Sequence, residues 1–184
     1  MTQHVTITPP GVKLIEEFVN TIELDEDREE LADARSLRAW LRERELLPSG
    51  AGVGDADVLR AREVREALRK LLLANNGAPL DGDALATLNG AAADAQLRVR
   101  FDVHGHAQLI PDEQGVPGAL ARILGVAYTA MADETWDRLK ACRLDDCQWV
   151  FYDHSKNRSR TWCSMRVCGN RAKARAYRER RRSV

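Results

Sequence analysis

The chain has 184 residues, of which 44% are hydrophobic and 30% charged, enough for one core-forming body with a small appendage. No apolar run approaches the roughly 20 residues that span a bilayer, so we expect no membrane partner. The N-terminus lacks the basic and then apolar stretch of a signal peptide, so we expect a cytoplasmic protein. In that compartment disulfides are rare, and cysteines are better explained as metal ligands.

The formal net charge is zero, but the charge is divided unevenly along the chain. Residues 140–184 contain 13 basic and 4 acidic residues, a net charge of +9. The first 139 residues contain 15 basic and 24 acidic residues, a net charge of −9. This asymmetry indicates an acidic body followed by a tail that is attracted to polyanions.

The body is predicted to be mainly helical. Apolar residues recur at helical spacing over residues 11–23, 30–47, 56–77, 83–95 and 115–134. Between the first two helices, Glu23–Glu30 is an acidic run of the kind that usually forms a solvated surface. Alternating apolar and charged residues around a His-Gly-His turn predict one β-hairpin near 96–111.

The body contains no pattern that is typical of catalysis. It has no G-x-S-x-G, no phosphate-binding glycine loop and no H-E-x-x-H, so we expect no enzyme. Asn20 and Thr21 are polar residues inside an otherwise apolar helix. They could line a ligand pocket between helices, or they could belong to a face that turns to solvent.

The cysteines are the most specific signal. Cys142, Cys147, Cys163 and Cys168 fall within 27 residues, in the pattern C-x4-C, fifteen residues, C-x4-C. Two short-looped pairs can supply the four ligands of a tetrahedral zinc ion, and such an ion lets a short segment fold with little core. An iron–sulfur cluster also uses four thiolates. We expect one structural zinc ion, with His154 as a surface or packing residue.

The segment "CRLDDCQWVFYDHSKNRSRTWCSMRVCGNRAK", Cys142 to Lys173, resembles the CGNR zinc finger. The preceding stretches "EEFVNTIE", "LRAWLRERELL" and "REALRKLLLA" resemble, in the same order, the ABATE domain that accompanies this finger. The resemblance implies a stress-related bacterial transcriptional regulator whose finger binds DNA and whose body senses an effector of unknown identity.

The arginine-rich run after the last cysteine suits that expectation. We expect Asn170 to cap a helix over 171–182, because asparagine is a favoured N-cap residue. Spacings of four, three and four place four arginines of this helix on one face, where they could contact phosphates and guanine edges. The candidate nucleic-acid contacts are Arg158, Arg160, Asn170, Arg171, Lys173, Arg175, Arg178 and Arg182.

Several alternatives remain open at this level. Trp149, Phe151, Tyr152 and Trp162 could form the small core of the finger or stack on unpaired bases. The basic tail could instead dock on the acidic run Glu23–Glu30, in the same chain or in a partner. Beside the DNA-binding regulator, which would suit a homodimer, the sequence is compatible with a protein-interaction scaffold whose zinc is purely structural, or with an RNA-binding protein.

The expected fold class is therefore mainly α with a small β-hairpin. A helical body over residues 1–138 would precede a four-cysteine zinc module over 139–184 that ends in a basic helix.

Overall fold

The computed structural model describes residues 8–182, so the ends of the two predicted regions, residues 1–7 and 183–184, lie outside the described residues. Within residues 8–182 the fold has six α-helices and three two-stranded antiparallel sheets, which confirms the predicted class. The helices are α1 Pro10–Val19, α2 Ala34–Glu43, α3 Asp55–Ala74, α4 Gly82–Asp94, α5 Gly115–Ala132 and α6 Asn170–Arg182. The strands are β1 Ile22–Glu23, β2 Arg28–Glu29, β3 Leu97–Phe101, β4 Ala107–Pro111, β5 Leu139–Ala141 and β6 Val150–Tyr152.

The core of the body is formed by the apolar faces of the first five helices. Phe18, Leu41, Leu68 and Ile123 are almost fully buried there. Helix α2 begins at Asp33, whose side chain accepts a hydrogen bond from the Ser36 amide while the Ser36 hydroxyl bonds back, a reciprocal capping box. This cap fixes the start of the helix later than the pattern over residues 30–47 predicted, and the helix also ends earlier, at Glu43.

Among the described residues, α5 is the one helix long and apolar enough to cross a membrane by length and composition alone. The sequence pattern over residues 115–134 predicted this helix. Half of it is buried inside the body, with Leu120 and Ile123 in the core, as in a central helix of a folded domain.

The predicted hairpin near 96–111 is confirmed. β3 and β4 pair in antiparallel register from Leu97 with Pro111 to Phe101 with Ala107. Its Asp102 side chain accepts hydrogen bonds from the backbone amides of His104 and His106, which closes the turn.

The acidic run Glu23–Glu30 is mostly exposed, as predicted, but it also contributes to the fold. Its ends pair as the short hairpin β1–β2, with Ile22 opposite Glu29. Glu29 accepts two hydrogen bonds of 2.7 Å from Arg65, which is 2% exposed on α3. Burial acts to raise the pKa of Glu29, but the Arg65 contacts outweigh it and the pKa is lowered. The Glu29 carboxylate is therefore part of the packing of the body.

The cysteine-rich segment packs directly against the body. Leu139, Ala141 and Val150, from β5 and β6, join the same apolar core as the body helices. The strands of the cysteine-rich segment thus share the core of the body, while the cysteines form a second, smaller cluster with Leu144 and Phe151.

Polar side chains of the body secure this contact. At the end of α3, the Asn75 amide donates to the carbonyls of Trp136 and Leu139, and the Asn76 amide donates to those of Ala141 and Thr161. Each bond is 2.8–3.0 Å long. The end of α3 thereby holds the chain that leads to the first cysteine.

Candidate metal centre and nucleic-acid interface

The first cysteine pair lies on a tight turn between β5 and β6. Cys142 follows β5, and its amide donates to the Trp149 carbonyl at 3.0 Å. The amides of Cys147 and Gln148 both donate to the Leu144 carbonyl, at 2.9 and 3.0 Å. These bonds fold the intervening residues so that both thiols of the pair turn to the same side.

The second pair lies at the start of the last helix. Ser164 caps a π-helical turn, Met165–Gly169, by accepting from the Val167 amide. Cys163 precedes the cap and Cys168 lies inside the turn, so the pair spans the helix start. A Cβ atom at Gly169 would lie 2.5 Å from Met165 Sδ and 3.2 Å from the Trp162 ring, so glycine allows this close approach.

The predicted cap at Asn170 is wrong. The π-helical turn runs directly into α6, so Asn170 already has helical backbone angles of φ −71° and ψ −38°. Its side-chain amide donates to the Arg166 carbonyl at 2.9 Å, one turn earlier. The true cap, Ser164, lies six residues upstream because the second cysteine pair is built into the helix.

The four thiols converge. The Sγ atoms of Cys142, Cys147, Cys163 and Cys168 all lie within 4.8 Å of one another. Cys163 Sγ is 3.6 Å from Cys147 Sγ and 3.4 Å from Cys168 Sγ. Four thiolates at about 2.3 Å from a tetrahedral zinc ion would be separated by about 3.8 Å, so the cluster fits the ion.

Electrostatics also favour a cation at this point. Hydrogen bonds from the Cys147 and Cys163 thiols lower the pKa of Cys142. The same contacts raise the pKa of Cys147 and of Cys163, because a thiol that donates to the Cys142 thiolate is held in its protonated form, and the charge of Cys142 adds to this effect. A divalent cation would replace these protons and hold all four groups as thiolates. The chain thus has one structural zinc site, closed by four sulfur ligands, and His154 is not part of it.

Aromatic residues form a small core around this site. Phe151 is 5% exposed and packs with the cysteines, Leu144, Trp149 and Trp162. The Arg160 guanidinium lies over the Phe151 ring, 4.7 Å from its centroid. Most of these aromatic surfaces therefore face the finger and its zinc site.

The loop between the cysteine pairs is built on a buried ion pair. Lys140 Nζ is 2.9 Å from Asp153 Oδ2, and the two residues are 5% and 0% exposed. Asp153 also accepts from the amides of Ser155 and Arg160, each at 2.9 Å. Burial acts to raise the pKa of Asp153, but these donors outweigh it and hold the pKa at about 2.

Two of the candidate DNA contacts lie in this loop. Arg160 donates to the backbone carbonyls of Trp162, at 2.9 Å, and of Cys163, so it supports the second cysteine pair from outside. Arg158 is exposed, and its guanidinium lies 3.6 Å from Asp137. The loop places Arg158 on the surface and gives Arg160 a structural contact.

The base of α6 is held by acids of the same chain. Asp146 Oδ2 lies 2.5 Å from Arg171 and 2.6 Å from Arg175. Arg171 also lies 3.8 Å from Asp25, which belongs to the acidic run. The sequence left open whether the basic tail docks on the acidic run Glu23–Glu30. In the structure this contact is made within the same chain, at Asp25 of the run.

The distal part of α6 is more open. Arg178, Arg182 and Lys173 are exposed, as are Arg180 and Arg181. Arg178 Nε donates to the Ala174 carbonyl at 3.2 Å, and Arg181 lies over the Tyr177 ring. On the other side, Ala172 packs against the cysteine cluster. The helix is thus anchored at the zinc site and carries its free positive charge outward.

Asn20 and Thr21, the candidate ligand pocket, use their polar atoms inside the protein. The Asn20 amide exchanges two hydrogen bonds with the Val150 backbone, of 2.8 and 2.9 Å. The Thr21 hydroxyl donates to the Phe18 carbonyl and accepts from Arg65. Both residues therefore act in the packing of the body and the finger. Asn20 also lines a surface cleft beside Trp40 and Trp149, and its role as a ligand site stays a prediction.

Sequence reasoning missed the residues that join the two parts. Arg69 is 1% exposed and donates to the carbonyls of Val19 in α1, at 2.6 Å, and of Gln148 in the finger, at 2.9 Å. Asp146, the acid that binds the two arginines, directly precedes a cysteine in "LDDCQW". Its position beside a predicted metal ligand could have drawn attention to Asp146. Nothing in the sequence around Arg69 indicates its buried contacts.

Two family models match separate parts of the chain. Residues 138–181 match the family described as "CGNR zinc finger". Residues 13–134 match ABATE, described as "Putative stress-induced transcription regulator", and since this match covers most of the chain, the protein belongs to that family. The resemblance seen in the sequence is thereby confirmed. A comparison with curated proteins finds no match.

Proposed function

We propose that the protein is a cytoplasmic transcriptional regulator that binds duplex DNA through α6. The observation that carries the proposal is the way in which this helix is held. Cys168 lies in the turn that begins it, so zinc fixes the direction in which its arginines extend. A preoriented basic helix suits insertion into a major groove with contacts to phosphates and base edges.

The zinc ion in this proposal is structural, because four sulfur ligands would leave no open position for a substrate. Cys142, Cys147, Cys163 and Cys168 would hold it. We assign no catalytic activity to the chain. The body would sense an effector and could support a homodimer, which would suit a DNA site with two half-sites.

Two features favour duplex DNA over single-stranded nucleic acid. Phe151 is buried, and Trp149 and Trp162 pack against the cysteine cluster, so few aromatic faces are free for base stacking. The exposed residues of α6 instead include Lys173, Arg178 and the arginines at 180–182. An RNA-binding role and a protein scaffold are therefore the weaker candidates.

The test is fluorescence anisotropy of labelled genomic duplexes with the zinc-loaded protein at several salt concentrations. We expect log K to fall with log salt with a slope of about −0.9 for each phosphate neutralised. Reversal of exposed charges in Lys173→Glu/Arg182→Glu should weaken binding strongly and reduce the slope, while zinc content stays at one per chain. Reversal of two exposed α2 arginines, Arg35→Glu/Arg42→Glu, is the control for net charge. Equal affinity of the two double variants would refute the assignment of α6.

A further inference from the structure

A cleft on the body is separate from the metal centre and from Asn20 and Thr21. It has a volume of about 590 Å³ and lies between the β3–β4 hairpin, α5 and the start of α1. Val12, Val99, Leu109 and Val126 supply apolar walls, while Arg122 and Asp133 supply charge. This size and this mixture are typical of small-molecule sites, which are mostly apolar with a few polar groups.

The cleft exists because only the base of the hairpin packs closely on α5. At the base, a Cβ atom at Gly118 would lie 2.2 Å from the Glu113 carbonyl oxygen, so α5 begins tightly against the end of the hairpin. Further along α5, a Cβ atom at Gly125 would lie 3.6 Å from Leu109 Cβ, which is an ordinary van der Waals contact. Opposite Leu109, Val99 is 62% exposed, and Phe101, nearer the tip, is 69% exposed. The hairpin therefore presents uncovered apolar side chains beside the helix.

The two charges in the cleft are far apart. Arg122 lies within α5 and Asp133 directly follows its last residue, so they are separated by about 16.5 Å along the helix axis at 1.5 Å per residue. Within residues 8–182, the structure shows no ion pair or hydrogen bond from the Arg122 side chain. Its guanidinium is thus available to a ligand and can accept a carboxylate in a bidentate contact.

We propose that this cleft binds an amphipathic small anion. Its acidic group would pair with Arg122, and its apolar part would lie between the hairpin and α5. The proposal rests on the effector-sensing role proposed above and gives that role a site and a ligand class. Thr135 also lines the cleft and is followed at once by residues 136–138 and β5, which lead to Cys142. A ligand would therefore contact the segment that connects the body to the zinc site.

The experiment is isothermal titration of the zinc-loaded full chain with decanoate and with decyltrimethylammonium, which have the same tail and opposite charges. We expect saturable 1:1 binding of decanoate and much weaker binding of the cation. Arg122→Glu should weaken decanoate binding by about tenfold or more, since a hydrogen-bonded charge contact is lost and replaced by repulsion. Arg42→Glu, which reverses an exposed charge on α2, should bind as the unaltered chain does.

A second variant tests the cavity itself. Thr129→Trp places a large ring in the cleft, where the Thr129 hydroxyl bonds only within α5, to the Gly125 carbonyl. It should abolish decanoate binding while the unfolding transition is retained.

The proposal is overturned if decanoate does not bind, if both variants bind it unchanged, or if the cation binds equally well. If the chain forms a dimer and Thr129→Trp dissociates that dimer, the cleft is occupied by a second copy of the chain. This result would also overturn the proposal. Because the titration contains no DNA, its failure leaves the DNA-binding proposal intact, and the converse also holds.

Discussion

Replacing Asn20 tests whether the finger is an integral part of the fold. The side chain is 9% exposed, and its amide bonds both the N–H and the C=O of Val150 in β6. Asn20→Leu keeps a similar volume but leaves both of these backbone groups without a partner. Each buried group that loses its partner costs about 1–3 kcal/mol, so we expect a loss of about 2–6 kcal/mol. That is a large fraction of the about 5–15 kcal/mol by which folded domains are stable.

The assay is urea unfolding of the zinc-loaded chain, followed by circular dichroism. Asn157→Leu is the matched control, because Asn157 is exposed in the loop between the cysteine pairs. We expect the control to change the free energy of unfolding by less than about 0.5 kcal/mol. A loss below about 1 kcal/mol for Asn20→Leu would refute the reasoning, since the finger would then be held to the body without this contact.

Three further predictions concern the finger. Asp146→Asn removes the acid at the base of α6, so duplex DNA should bind more tightly at low salt and the salt slope should steepen by about one phosphate contact, measured by anisotropy; unchanged or weaker binding would contradict this. Asp153→Asn should destabilise the protein by about 2 kcal/mol near neutral pH, because a pKa of about 2, against an ordinary value of 3.8, stabilises the fold above pH 4. That stability is lost as the pH falls toward 2, so in urea unfolding the two proteins should become more alike in acid; a constant difference would contradict the linkage. Cys163→Ser should lower the zinc content measured by mass spectrometry, whereas His154→Ala should retain one ion per chain; loss of zinc from the histidine variant would contradict the four-thiolate site.

Features that depend on local pattern could be predicted from the sequence. The paired cysteines, the β3–β4 hairpin and the long helix α3 each carry their signal within a short window of residues. The thiols converge because both pairs have short internal loops, and that constraint is visible in the spacing itself. The zinc site was therefore predictable to the residue.

The contact between body and finger could not be predicted in the same way. Asn20 and Val150 are 130 residues apart, and the Asn76 amide reaches the Ala141 carbonyl over 65 residues. An asparagine in the sequence does not indicate which distant backbone group it will satisfy. Buried Arg69 was missed for a related reason, because an arginine in an amphipathic helix is ordinarily expected at the surface.

The basic helix α6 was predictable only in part. Its position and its charge follow from the sequence, but the acids that hold its base do not. Arg171 and Arg175 share a face with Arg178, as helical spacing predicts. The fold then places Asp146 beside the first two and leaves the third exposed. Spacing defines a face, whereas tertiary contacts decide which part of that face is free.

The most direct test of the central claim compares DNA binding by the zinc-loaded protein and by the same preparation after removal of zinc with a chelator. The measurement is fluorescence anisotropy with random and genomic duplexes at near-physiological salt, with zinc quantified in every sample. We expect binding that needs zinc, prefers defined genomic sequences and weakens with salt. Absence of binding with one zinc ion per chain, or equal binding without the metal, would contradict it.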